Sequence, residues 1–475
     1  MFQPVAPTMR RTLVVALALL SATAVAPAPA AHAAPATIRV REDFNGDGYA
    51  DLAVAASSGT ASGKTGAGYV AVLYGSASGL GTRGNQVYSQ ASAGVPGSPE
   101  VNDHFGSRLD AADLDGDGFT DLVVTADSEN WTQDGVDLEG SRTVLWGAPG
   151  GFVSGTVLRA AGSDAYRESV SATGDFNGDG HQDLVRPDRV EYGPFGRDGS
   201  AASIQGIKVA GSYDPLYAAA AGDVDGDGIT DLVVGVSAIA PDDEEYTPSH
   251  LNYLRGSRDG LLPPITLKDA KGRLLAPGTQ VGLGDLNGDR RADLVVGGTS
   301  LHINYGTATG PGTTTTRVID QDTPGVPGTQ EEDDSFGSAL SIGDVDGDGY
   351  GDVLAGNGQE AVGKQAWAGT FAVVPGGPKG PTGAGTKVFS QNTANVPGTA
   401  ESVDLFGRGV HLIDGDSDGR AEPVVAALGE NHGVGAVWVF RTTSSGATAA
   451  GSFSFGPTTL GMVANVGDSL GQFPS

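Results

Sequence analysis

The stretch Asp113–Asp121 reads DLDGDGFTD, with carboxylates at its first, third, fifth and ninth positions. Like charges this close repel one another unless they stay exposed or share a cation. The pattern recurs six more times: DFNGDGYAD (Asp43–Asp51), DFNGDGHQD (Asp175–Asp183), DVDGDGITD (Asp223–Asp231), DLNGDRRAD (Asp285–Asp293), DVDGDGYGD (Asp344–Asp352) and DGDSDGRAE (Asp414–Glu422). Start-to-start spacings run from 48 to 70 residues, a period that marks an array of supersecondary units.

Each acidic loop is followed by a short apolar run, such as LAVAA from Leu52, LVVTA from Leu122 or LVVGV from Leu232. Runs of this length, rich in Val, Ala and Gly, predict strands covered on both faces. A second strand ends in an aromatic-Gly turn: VLYG from Val72, VLWG from Val144, INYG from Ile303, with YLRG from Tyr253 as a variant. A third follows in QVYSQ, RVIDQ and KVFSQ, and the chain returns through Val95–Gly106, Val326–Gly337 or Val396–Gly407. That makes about four strands per unit, the size of a propeller blade.

The rest of the composition narrows the classes. The chain has 475 residues, 28 Lys+Arg against 57 Asp+Glu, a formal charge of −29 and no cysteine. An acidic chain without a basic stripe is not a nucleic-acid binder. Arg10 and Arg11 precede LVVALALL, and Ala31-His32-Ala33 offers a small-x-small cleavage site, so residues 1–33 read as a secretory signal peptide on the general rather than the twin-arginine route. No later segment is apolar enough to span a bilayer. The mature chain, 34–475, is then expected outside the cell, as a monomer, where no disulfide staples its loops.

The Phe-Gly pair eight residues before loops two, six and seven, the DxDxDG loop and the Gly147-Ala148-Pro149 turn together resemble the FG-GAP repeats of the integrin α-subunit propeller and its bacterial secreted relatives. The resemblance covers nearly all of 34–475 and implies an all-β fold, a single seven-bladed β-propeller with four-stranded antiparallel blades. The Phe-Gly pair is replaced by Arg167-Glu168, Pro215-Leu216 and Pro277-Gly278 before loops three to five, so irregular middle blades are expected. Unit one lacks its first strand. VGDSLGQF (Val466–Phe473) resembles DDSFGSAL, with Leu470-Gly471 in place of Phe-Gly, and is predicted to close the ring with strands from both termini.

The loop chemistry points to calcium, a hard cation taking six to eight oxygens. Positions 1, 3 and 5 aim side-chain oxygens at one point, position 7 offers a backbone carbonyl, and the acid at position 9 closes the shell. The predicted ligands are Asp43, Asn45, Asp47, Tyr49 and Asp51 in the first loop, and Asp113, Asp115, Asp117, Phe119 and Asp121 in the second. The third supplies Asp175, Asn177, Asp179, His181 and Asp183, and the fourth Asp223, Asp225, Asp227, Ile229 and Asp231. The fifth supplies Asp285, Asn287, Asp289, Arg291 and Asp293, the sixth Asp344, Asp346, Asp348, Tyr350 and Asp352, and the seventh Asp414, Asp416, Asp418, Arg420 and Glu422. Glycine at position 6 permits the positive φ of the turn. Arg290 stands there in loop five, so the 285–293 site is expected to be the weakest of up to seven. Position 12, mostly Val or Ala, rules out the EF-hand, and the long period rules out a nonapeptide calcium β-helix. The seven loops hold 25 of the 57 acids, too many for ordinary Asp-Gly turns.

Strand alternation places the calcium loops and the aromatic-Gly turns on one face of the ring. The long insertions Ser128–Ser141, Ala240–Ser249, Gln359–Gly369 and Gly429–Gly435 then lie on the other. Trp131, Tyr246 and Trp367 there are candidate ligand contacts. The expected function is a secreted calcium-binding module that adheres to an extracellular protein or glycan. The alternative is a secreted hydrolase or polysaccharide lyase, with paired carboxylates among Asp103, Asp333, Asp334 and Asp404. No HExxH, GxSxG or cysteine supports an enzyme, and SGTASGKTG (Ser58–Gly66) has the wrong spacing for a phosphate loop.

Overall fold

The apolar run behind each acidic loop forms a strand buried along its whole length, as in Leu52–Ala56, Asp231–Val236 and Asp352–Asn357. Both faces are covered because neighbouring sheets pack on each side. The structure, a computed structural model, describes residues 1–3, 42–81, 84–133, 136–158, 170–208, 216–237, 249–275, 278–332 and 334–474. Residues 4–33 of the expected leader, Arg167-Glu168, Pro215, Tyr246, Pro277, Asp333 and the side chain of Trp131 lie outside the described residues.

Among the described residues, seven sheets of three or four strands make seven blades. In blade two the strands Phe105–Ala112, Asp121–Gln133, Val136–Trp146 and Ser154–Val157 pair antiparallel in chain order, and blades three to seven repeat this four-stranded order. Blade one contributes three strands, Leu52–Ala56, Tyr69–Leu73 and Asn85–Tyr88. The middle blades are irregular as expected: the first strand of blade three spans only Ala172–Gly174, and the register slips between Leu216 and Ala218 in blade four. Apolar side chains gather in seven clusters, one for each pair of neighbouring blades. Phe44, Val72, Phe105 and Leu122 join blades one and two, for example, and Leu52, Ala71, Val424 and Val439 join blades one and seven. The last pair closes the ring. The only described helix is a single turn, Glu430–Gly433, and none is long and apolar enough to cross a membrane.

The C-terminal segment lies where the sequence predicted, held to blade one by an isolated bridge between Ala55 and Gln472 rather than as a full fourth strand. Ala55 donates its N–H to the Gln472 carbonyl at 2.8 Å, and the N–H groups of Gly471 and Gln472 return to the Ala55 carbonyl at 3.0 and 3.2 Å. Leu470 is wholly buried in the cluster between blades one and seven. It takes the part of the Phe in Phe-Gly: its N–H meets the Val434 carbonyl of blade seven at 3.2 Å, as Phe105 meets Ala67 at 3.0 Å and Phe406 meets Ala368 at 2.9 Å. The glycine after each Phe has φ above +90° and sits hard on the preceding blade. A Cβ on Gly407 would lie 2.1 Å from the Thr370 carbonyl. Phe-Gly therefore fixes how one blade docks on the next, with Phe filling the seam and Gly allowing the approach.

Candidate metal centres

All seven acidic loops fold alike. The Oδ2 of position 1 accepts the N–H of position 6 at 2.8–3.0 Å. The Oδ1 of position 3 accepts the N–H of position 5 at 2.8–3.2 Å. The Oδ1 of position 5 accepts the N–H of position 7 at 2.9–3.2 Å. At positions 3 and 5 one oxygen thus shapes the backbone, whereas at position 1 of six loops both do, Oδ1 accepting the N–H of position 5 at 3.0–3.2 Å. Glycine at position 6 has φ of 85–96°, and Arg290 takes the same turn at 69°. Position 4 is also left-handed, a demand that the sequence reading missed: six glycines there have φ of 69–79° and Ser417 has 56°.

Position 9 acts as a latch. One oxygen of each of these acids accepts the N–H of position 2 at 2.8–3.1 Å. In six blades the other accepts the N–H of the glycine that turns strand three into strand four, at 2.8–2.9 Å. In blade seven Glu422 reaches the Thr442 hydroxyl instead, at 3.1 Å. The loops and these turns therefore share one face, as strand alternation required. Burial, with the neighbouring acids adding to it, pushes Asp51, Asp121, Asp183, Asp293 and Asp352 up to about 7, Asp231 to about 6 and Glu422 to about 8, against the lowering pull of the backbone donors.

Where positive charge is wanted, the fold supplies guanidinium. Arg197 sits with Nε 2.6 Å from Asp115 Oδ2 and Nη2 2.6 Å from Asp117 Oδ2, its guanidinium 5.3 Å from the Trp146 ring. Arg255 pairs with Asp225 Oδ2 and, at 2.7 Å, with Asp227 Oδ2. Arg420 pairs with Asp418 Oδ2 in its own loop. These are the Oδ2 atoms that the turns leave over. The oxygens of Asp113, Asp115 and Asp121, of Asp223, Asp225 and Asp231, of Asp344, Asp346 and Asp348, and of Asp414, Asp416 and Glu422 come within 4.8 Å of one another. An all-oxygen, highly anionic set of this kind fits a hard divalent cation. The Arg255 signal was legible as the loss of the aromatic before Gly256; that of Arg197 was not, because it reaches loop two from the turn of blade three.

The loops form a belt. In five of the seven loops the position 8 N–H donates to the position 1 carbonyl of the loop before, as Thr120 does to Asp43 at 2.9 Å and Ala421 to Asp344 at 2.7 Å. The position 7 side chain lies over the earlier loop's position 4 glycine: a Cβ on Gly46 would meet Phe119 at 2.3 Å. Ser417 Oγ donates to the Gly48 carbonyl at 2.9 Å, joining loops seven and one.

On the other face, Trp367 is 45% exposed beside the exposed Val403, whose neighbour Leu405 donates its N–H to the Trp367 carbonyl at 3.0 Å. Asn130–Gln133 pairs with Val136–Glu139 in the hairpin that carries Trp131. Asp103, Asp334 and Asp404 cap the turns before Phe-Gly, accepting the N–H of Glu100, Glu331 and Glu401 at 2.5, 2.7 and 2.6 Å.

A family model for the FG-GAP repeat matches residues 34–73, 105–138 and 336–386, which carry parts of blades one, two and six. No curated protein matches the sequence. Among solved structures, the Dos1 propeller is similar at 7% identity and TM-score 0.39, over 75% of this chain and 71% of that one. The V. cholerae biofilm matrix protein Bap1 is similar at 11% identity and TM-score 0.29, over 79% and 84%. Neither likeness bears on function. Matched repeats and seven sheets closed by the C-terminal segment lead to one conclusion: the chain is a seven-bladed β-propeller that carries FG-GAP repeats at 34–73, 105–138 and 336–386.

Proposed function

We propose that the protein is a secreted, calcium-stabilised propeller that binds an extracellular protein or glycan through the face opposite its acidic loops, without catalysing a reaction. The pairing of Arg197 and Arg255 with the leftover oxygens of positions 3 and 5 carries the calcium half of this reading, since it marks those oxygens as seats for positive charge. In each loop the acids or amide at positions 1, 3 and 5 would hold the ion, together with the position 7 carbonyl and the position 9 latch. The bound ion supplies charge neutralisation in a belt that runs through all seven blades. At calcium tenfold above the dissociation constant, each site adds about 1.4 kcal/mol. Loop five, with Arg290 in the left-handed turn, is the weakest site, and the guanidinium groups of Arg197 and Arg255 compete at loops two and four.

The binding half is supported by Trp367 and Val403, an exposed aromatic and aliphatic pair on a rigid corner, and by Val101 and Val466, exposed on equivalent connections. A glycan array with and without chelator, run beside chromogenic hydrolase substrates, tests it. Saturable binding without turnover is expected. Turnover abolished by Asp103→Asn or Asp404→Asn would replace the adhesin reading with an enzyme.

A further inference from the structure

Trp367 stands where the fold elsewhere puts glycine. Its carbonyl accepts the N–H of Leu405, the residue before the Phe of Phe-Gly, at 3.0 Å. At the next two seams around the ring, the carbonyls of Gly433 and Gly66 do the same for Ser469 and His104, at 3.0 and 2.9 Å. All three backbones are left-handed, with φ of 85° and 71° at the glycines and 54° at Trp367. Glycine takes that conformation freely, and a bulky side chain takes it at a cost. Val403 is a second case, with φ of 71° where the equivalent residues are Asn102, at 68°, and Gly467, at 90°. A β-branched residue is poorly suited to this region. Trp367 is 45% and Val403 50% exposed, so packing inside the fold does not offset the strain. Strain held without a packing gain points to a task outside the fold.

The polar side chains beside the indole are specialised as well. Val362 and Gln365 exchange backbone hydrogen bonds at 3.0 and 3.2 Å in the turn that carries Trp367, as Ala61 and Lys64 do in blade one. Across the seam, the Ser402 hydroxyl donates to Gln365 Oε1 at 2.7 Å. That bond orients the amide and leaves its Nε2 as a donor with no protein acceptor among the described residues, while the Ser402 oxygen can still accept. The same two places in the corner of blades one and two hold Lys64 and Val101, which cannot form such a pair. Both groups of the pair are neutral, and the adjoining Lys364 and Glu401 are exposed and of opposite sign.

We propose that this corner, at the seam of blades six and seven, is a carbohydrate subsite that takes one neutral sugar ring, its C–H face on the Trp367 indole and its hydroxyls on Gln365 and Ser402. The inference rests on the reading that the face opposite the acidic loops binds a ligand, and it selects a glycan over a protein. Size favours the glycan. An indole 45% exposed offers roughly 100 Å² of apolar surface, enough for one pyranose face, whereas a protein partner needs about 800 Å² on each side. Lys364, Glu401 and Ser402, all exposed, end the apolar surface at the corner's edge. Chemistry favours it too, because a pyranose joins an apolar face to a rim of hydroxyls that both donate and accept. The platform is also set before a sugar arrives: Val403 donates its N–H to the Ala366 carbonyl at 2.9 Å, beside the Leu405 bond to Trp367.

The full chain is tested in calcium as wild type, Trp367→Gly, Trp367→Phe and Gln365→Ala. The probes are an array of neutral oligosaccharides that includes cellohexaose, chitohexaose and mannohexaose, with hexagalacturonate as the acidic arm and gelatin as the protein arm. The neutral glycan retained best is then titrated by calorimetry and tryptophan fluorescence. Trp367→Gly restores the residue of the equivalent seams, so it is expected to melt no lower than wild type while binding the glycan at least about thirtyfold more weakly. Trp367→Phe keeps a ring and should retain most of the affinity, and Gln365→Ala should lose about fivefold. The glycan should shift the tryptophan emission of wild type and not that of Trp367→Phe. A neutral glycan held equally well by Trp367→Gly overturns the subsite and leaves the adhesin reading in place, as does binding confined to hexagalacturonate or gelatin. A Trp367→Gly chain that melts several degrees below wild type shows that the indole serves the fold, and overturns the subsite likewise. Binding on no arm overturns both readings.

Discussion

Replacing Leu470 by alanine tests whether the C-terminal segment closes the ring or merely lies against it. Leu470 is fully buried among Leu52, Val54, Val424 and Val437, from the second and third strands of the two blades it joins. Cutting a leucine back to alanine in such a place costs about 2–5 kcal/mol, by lost transfer and the cavity left behind. A propeller of about 430 residues unfolds with an entropy near 0.9 kcal/mol per kelvin, so the expected fall in Tm is about 2–5 °C. Gly471→Ala should add a comparable loss of a different kind, since its φ is 149° and a Cβ would lie 2.4 Å from the Ala426 Cβ. Val466→Ala, at a side chain 78% exposed, is the control and should stay within about 0.5 kcal/mol of wild type. The assay is thermal and urea unfolding in excess calcium. If Leu470→Ala unfolds with the control, the segment is not the missing first strand of blade one, and the closure reasoning fails.

Asp121→Asn should cost about 1–3 kcal/mol, because an amide offers one acceptor to the two backbone donors, Leu114 and Gly147, and faces the other with its own N–H groups; melting in calcium reads it. In chelator, stability should fall as pH rises. The latch carboxyls keep their protons in the folded chain up to about 7 but lose them near 4 when unfolded, so their contribution is whole below about 4 and gone above about 7. Calcium affinity should run the other way, weakening below pH 7 as protons compete for the same oxygens. Arg255→Met should tighten calcium at loop four severalfold by calorimetry, because it frees Asp225 Oδ2 and Asp227 Oδ2. Trp367→Ala should abolish binding of whichever array ligand is found and leave Tm unchanged within about 1 °C, as befits an exposed side chain.

The fold was legible because its determinants are local and repeated. Apolar runs after acidic loops gave the second strands, and the eight-residue offset of Phe-Gly exposed the gap before Asp43 that Leu470-Gly471 fills. The loop positions were legible for the same reason: the demand for a left-handed residue at position 6 holds even at Arg290. What stayed hidden depends on residues distant in the chain. Arg197 meets Asp117 across 80 residues, and Gln391 meets Glu430 across 39. The position 9 acid reads as a ligand in sequence, and only the folded blade reveals the glycine turn, 10 to 26 residues on, that takes its other oxygen. Asp103, Asp334 and Asp404 read equally as caps or as a carboxylate pair, and the cap contacts appear only once the connection is folded.

Metal content and its effect on unfolding test the central claim most directly. Native mass spectrometry of the purified protein, followed by melting before and after exhaustive EDTA dialysis, should find several bound calcium ions, a lower Tm once they are stripped, and recovery on adding calcium but not on adding sodium. A chain that carries no divalent ion and melts identically with and without EDTA would contradict the account.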